Sequence, residues 1–167
     1  MIHFLESFAN DLYATTIAVA VRENDLLFPS IEAVHVLAIT LVVGSIGVVD
    51  LRLLNIGWRS RSILEFLREV LPLTWIAFGL ALLTGTTLFA SNAPTYLHNG
   101  PFQFKMGLLV LAGLNILTFH AVTARKLARS GEVAGSPAAA RFAGAASLLM
   151  WIGIVCFGRW IGFTTGS

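Results

Sequence analysis

The stretch Phe28 to Asp50, FPSIEAVHVLAITLVVGSIGVVD, constrains the fold more than any other. It is long and apolar enough to cross a bilayer as a helix, yet it carries Glu32, His35 and Asp50. On a helix these three side chains fall within about 60° of one another, because residues three, four and seven apart share a face. Ionisable groups inside a membrane helix are costly and turn toward protein, a cofactor or trapped water. A chain with this stretch needs partner helices to receive that face.

Composition points the same way. Of 167 residues 56% are hydrophobic and only 12% charged, and the mean hydropathy is +0.80. A soluble domain carries roughly twice that charge. The expected fold is all-α: an integral membrane four-helix bundle with an N-terminal interfacial helix and a short amphipathic cytoplasmic connection, in one domain over 1–167. The single cysteine, Cys156, excludes an intrachain disulfide and a cysteine-rich zinc module. No P-loop, nucleophile elbow or paired-carboxylate protease motif is present.

Residues 2–22 alternate apolar groups with Glu6, Asn10, Asp11 and Arg22. Their apolar run is too short to span, which predicts one interfacial helix or two short ones. The N-terminus lacks the basic region of a cleavable signal peptide and is expected to be retained. Spans are predicted at about 28–50, 71–90, 102–123 and 140–163, the second with Pro72 in its first turn. Arg52, Arg59, Arg61, Glu65, Arg68 and Glu69 give 51–70 the pattern of a surface helix. Gly44, Gly47, Gly79, Gly85, Gly144 and Gly153 fit close helix packing in lipid.

Basic residues divide unevenly between the two helix ends. Arg22, Lys105 and Arg159 lie on one side; Arg52, Arg59, Arg61, Arg68, Arg125, Lys126, Arg129 and Arg141 lie on the other. The positive-inside rule makes the second side cytoplasmic and both termini periplasmic, in a bacterial inner membrane. The net charge of +2 thus reflects topology, not nucleic-acid binding.

Candidate chemistry centres on Glu32 and His35. Their E-x-x-H spacing can put a carboxylate and an imidazole on one metal ion; it also suits a polar helix start with a hydrogen-bonded histidine. His120 on the third span is the second membrane histidine, and two such imidazoles are the axial set of a b haem. Geometry opposes a shared ion. The two helices run in parallel, and counting from their ends separates the histidines by roughly 12–18 Å in depth. His35 is left with an outer-side ligand such as His3, His98, Met106 or Cys156, with its own copy across a twofold axis, or with a site separate from that of His120. Lys105 and Arg159 read as snorkelling cations, or as holders of a haem propionate or a quinone oxygen, or as partners of Glu32. Asp50 with Arg52 reads as a structural ion pair or cap. Tyr96 and Asn99 stand where they can close an outer pocket.

With these residues in view the chain resembles a family of small bacterial four-helix membrane proteins of uncharacterised function. The likeness is carried by FPSIEAVHVLA at 28–38, VGSIGVVDLRLL at 43–54, Tyr96 with Asn99, FKMGLLVLAGLN at 104–115, FH at 119–120 and the pattern from Arg141 to Arg159. More loosely it is similar to membrane cytochromes b and to the membrane domain of copper-resistance proteins. That resemblance implies haem b or copper near the outer face, with a quinone or periplasmic redox partner. The resulting expectation is electron transfer, with His35, His120, Lys105 and Arg159 around haem, or Glu32, His35 and Met106 around a metal ion. Copper handling, with His35, Met106 and Cys156 as ligands, and a non-catalytic subunit of a homo-oligomer or larger complex are the alternatives.

Overall fold

The computed structural model describes residues 2–56, 63–119, 121 and 138–164. Two short helices, α1 (Ile2–Tyr13) and α2 (Thr16–Glu23), precede α3 (Leu27–Leu53), α4 (Ile63–Ser91), a single-turn α5 (Ala93–Leu97), α6 (Gly100–Thr118) and α7 (Ala138–Thr164). Among the described residues there is no strand. Helices α3, α4, α6 and α7 are each long and apolar enough to cross a membrane. Only 17% of the apolar window of α3 and 6% of that of α6 is buried inside the bundle, so most of this surface faces lipid. The fold is the expected four-helix membrane bundle.

Helix ends follow local chemistry where polar caps are available. Asn24 Oδ1 accepts from the backbone N–H of Leu26 and Leu27 at 2.9 and 3.1 Å, starting α3 before Pro29. Thr15 Oγ1 accepts from Ala18 N and separates α2 from α1. The N-terminal segment is therefore two helices; α1 packs on α5, and α2 on α4.

Packing overrides local reading at α4. The helix begins at Ile63, not near Leu71, so Pro72 lies inside it. Phe66 and Leu67 are each 6% exposed, and Leu67 packs with Leu53, Phe119 and Ala140. Burial of this face carries the helix through a residue that removes one backbone hydrogen bond. Glu65, Arg68 and Glu69 remain exposed, so the amphipathic pattern is real but belongs largely to an extended span. Residues 57–62 lie outside the described segments, as do 120, 122 and 123 of the expected third span.

Helix α3 packs on α4 along one side and on α7 along the other, and α6 packs on α7. All four meet in a central apolar layer of Val42, Ala77, Ala112, Trp151 and Ile154. A second apolar layer, Leu53, Leu67, Phe119 and Ala140, closes one end of the bundle, here called the Leu53 end. At the opposite, His98 end, Asn99 joins two helices. Its Oδ1 accepts from Phe102 N and its Nδ2 donates to Thr164 Oγ1 at 2.8 Å.

The six glycines expected at close contacts divide evenly. A Cβ on Gly144 would stand 3.0 Å from Leu53 Cβ and 3.1 Å from the Asp50 carbonyl oxygen; Gly85 and Gly153 are similarly crowded. A Cβ on Gly44, Gly47 or Gly79 would meet nothing from another helix within 4 Å, which corrects the expectation for those three. Gly144→Ala should destabilise the detergent-solubilised protein by about 1–3 kcal/mol, since neither neighbour can rotate away. Gly47→Ala should be neutral or stabilising by up to about 1 kcal/mol through helix propensity. Thermal unfolding of both variants checks the contrast, and equal losses would contradict this crossing.

Candidate functional site

His35 leaves α3 toward α4 in the half of the bundle nearest His98. Its Nδ1 lies 2.9 Å from Thr84 Oγ1. The Thr84 hydroxyl has one proton, and the Leu80 carbonyl is nearer, at 2.7 Å. With the hydroxyl donating to Leu80 O it accepts from His35 Nδ1–H, and the ring also meets the Ala81 backbone; in this tautomer the lone pair is on Nε2. Gly85 makes the space: a Cβ there would stand 2.8 Å from His35 Cε1. The imidazole is held from one side by a hydroxyl and admitted by a missing side chain.

Lys105 faces the same region from α6. Its charge acts on the His35 ring, and its stem lies beside Gly158 of α7, with Nζ 3.8 Å from where a Cβ would be. The side chain is mostly buried and has no hydrogen-bond or ion-pair partner among the described residues. An ammonium so placed in a membrane bundle is costly without a counter-charge.

Three stacked rings lie at the His98 end. Phe89 of α4, Tyr96 of α5 and Phe102 of α6 have centroids 5.3, 5.5 and 6.3 Å apart. Tyr96 and Asn99 thus sit at the His98 end of the bundle. Burial, reinforced by the negative charge of Glu32, pushes the Tyr96 phenol above its ordinary value of 10.0.

The other sequence candidates divide between the interior and the surface. Glu32 is exposed, one turn from His35, and its charge acts on Tyr96. Met106 is 44% exposed and Cys156 is exposed, so both face outward from the bundle. Arg159 is exposed as well, its guanidinium 5.5 Å above the Phe163 ring. Among the described residues no three His, Cys, Asp or Glu donors converge. His120 and the side chain of His3 lie outside the described residues. His98 stands 3.9 Å from Glu6 at the surface. Thr84 is not among the residues the sequence singles out, and Gly85 reads there only as a packing glycine, although a Thr-Gly-Thr run inside an apolar helix is a legible signal for a received polar group.

Residues 24–164, which run from the start of α3 to the end of α7, match a family of unknown function, DUF6644. The chain belongs to that family. Its pattern begins just before α3, so the four spans and the His35–Lys105 site fall inside the DUF6644 region, whereas α1 and α2 precede it. No curated protein and no solved structure matches the chain.

Tyr96 gives a direct test of this geometry, because the protein has only two tyrosines. The absorbance titration lost on Tyr96→Phe should have its midpoint above 10.0. Because the folded value exceeds that of the unfolded chain, stability falls as pH rises through the window above 10.0, and Tyr96→Phe should remove that loss. A midpoint at or below 10.0 would contradict the buried placement beside Glu32.

Proposed function

We propose that the protein binds a redox-active group between His35 and Lys105 and passes electrons at the His98 face of the membrane. One observation carries this reading: an imidazole with Nδ1 committed to Thr84 shares a site with a mostly buried ammonium that has no partner among the described residues. The pair suits a group that needs one nitrogen ligand and one counter-charge. Haem b would meet both demands: His35 would ligate its iron and Lys105 would face its anionic propionates. The open Nε2 of His35 fits the first and Lys105 fits the second. The group brings its own porphyrin nitrogens, so one protein ligand is sufficient.

Haem b, when bound, supplies a one-electron couple inside the bilayer. The chain orients the imidazole through Thr84, admits it at Gly85 and balances charge through Lys105. A bare copper ion would need further donors, and Met106 and Cys156 both face outward. The partner is a quinone or a periplasmic redox protein.

The charge asymmetry supports a bacterial inner-membrane location with the His98 end periplasmic. Reporter fusions at Ser60 and Ser136 should report the cytoplasm, and fusions at His98 the periplasm. His98 and Ser136 on one side would refute this orientation.

Protein purified in mild detergent should show a Soret band and a reduced-minus-oxidised b-type spectrum. His35→Ala should abolish both while helicity and elution volume stay unchanged. Lys105→Met should retain haem but lower its midpoint potential, because a nearby cation favours the reduced form. Stoichiometric copper without a Soret band would replace this reading with copper handling. Absence of both would leave the polar residues as locks between helices in a larger complex.

A further inference from the structure

A second polar centre lies fifteen residues along α3 from His35, about 22 Å away at 1.5 Å per residue. Asp50 is 3% exposed, and Ser147 and Trp151 of α7 are 5% and 6% exposed. Asp50 hydrogen bonds to Ser147. Its Oδ2 has no hydrogen-bond partner, and neither has the Trp151 indole Nε1.

Among the described residues no cation neutralises this acid. The expected pairing with Arg52 is not made, because two residues along a helix turn the side chain about 200° away. The Arg52 guanidinium instead reaches Asn55 Oδ1 at 3.5 Å. The charged groups that α4 and α7 carry near this end, Glu65, Arg68, Glu69 and Arg141, are exposed. The described part of α6 carries no charge besides Lys105, at the far end. Gly144 presses against the Asp50 carbonyl from α7, which holds this crossing tight.

A carboxylate has two oxygens and about four acceptor positions, and here one hydroxyl serves it. Apolar side chains fill the layers on both sides. An ionised carboxylate with one donor is far costlier in such surroundings than a neutral acid, which needs one acceptor and leaves a carbonyl oxygen unpaired. The second description matches the groups present.

We propose that Asp50 is a proton-binding site. Its Oδ1 carries a proton and donates it to Ser147 Oγ, while Oδ2 is the neutral carbonyl oxygen. Exchange with water at the Leu53 end would cross only the Leu53 layer, one helical turn away. The His98 end lies beyond the whole central apolar layer. This inference is independent of any group at His35.

Infrared spectra of wild-type, Asp50→Asn and Ser147→Ala protein, each in H2O and D2O, test it. The wild-type minus Asp50→Asn difference should contain a protonated-carboxyl carbonyl band that moves to lower frequency in D2O. Ser147→Ala should shift the same band upward by removing its hydrogen bond. If Asp50→Asn does not fold, the wild-type minus Ser147→Ala difference reads that band. A difference containing only carboxylate stretches, or a carbonyl band unmoved in D2O, would overturn the proposal.

Discussion

In hydrocarbon a polar side chain has only the rest of the protein to turn to, and the interior of this bundle follows from that constraint. The hydroxyls sort themselves by it. Thr40, Thr86 and Thr118 donate to the carbonyl four residues back on their own helix and remain exposed. Those that meet a side chain from another helix mark where the bundle is polar inside. Thr84 receives His35, Thr74 lies 2.8 Å from Ser45, and Ser147 holds Asp50. Asn115 adds a clasp by donating to the Ala143 carbonyl at 3.0 Å. Each of these contacts joins two spans that lipid alone gives no reason to pair.

Much of the fold is legible in the sequence because a span announces itself by length and by the absence of charge. The ends of the spans are less so. Pro72 looks like a helix start, and only the burial of Phe66 and Leu67 explains why α4 begins nine residues earlier. Glycines have the same ambiguity: Gly47 and Gly144 are alike as letters, but only Gly144 has a helix pressed against it. Contact between helices depends on rotation about each axis, and an apolar run facing lipid on most sides leaves little periodicity from which to read it.

The site is half legible for a related reason. His35 stands out by its depth in an apolar stretch, yet its partners Thr84 and Gly85 lie about fifty residues away and are common letters in a membrane helix. Lys105 and Arg159 look equivalent from sequence, both basic and both near helix ends. Gly158 separates them, because it leaves a slot for the lysine stem while Arg159 turns outward to Phe163. Asp50 and Arg52 look like an ion pair until the helix is wound, which sends them to different sides.

The central apolar layer has an electrical meaning. Val42, Ala77, Ala112, Trp151 and Ile154 fill it, with the His35–Lys105 centre on one side and Asp50 on the other. Such an apolar layer is a low-dielectric slab between the two centres. One elementary charge moved through the full potential exchanges about 2.3 kcal/mol per 100 mV. The layer thus separates the two polar centres as a dielectric separates the plates of a capacitor.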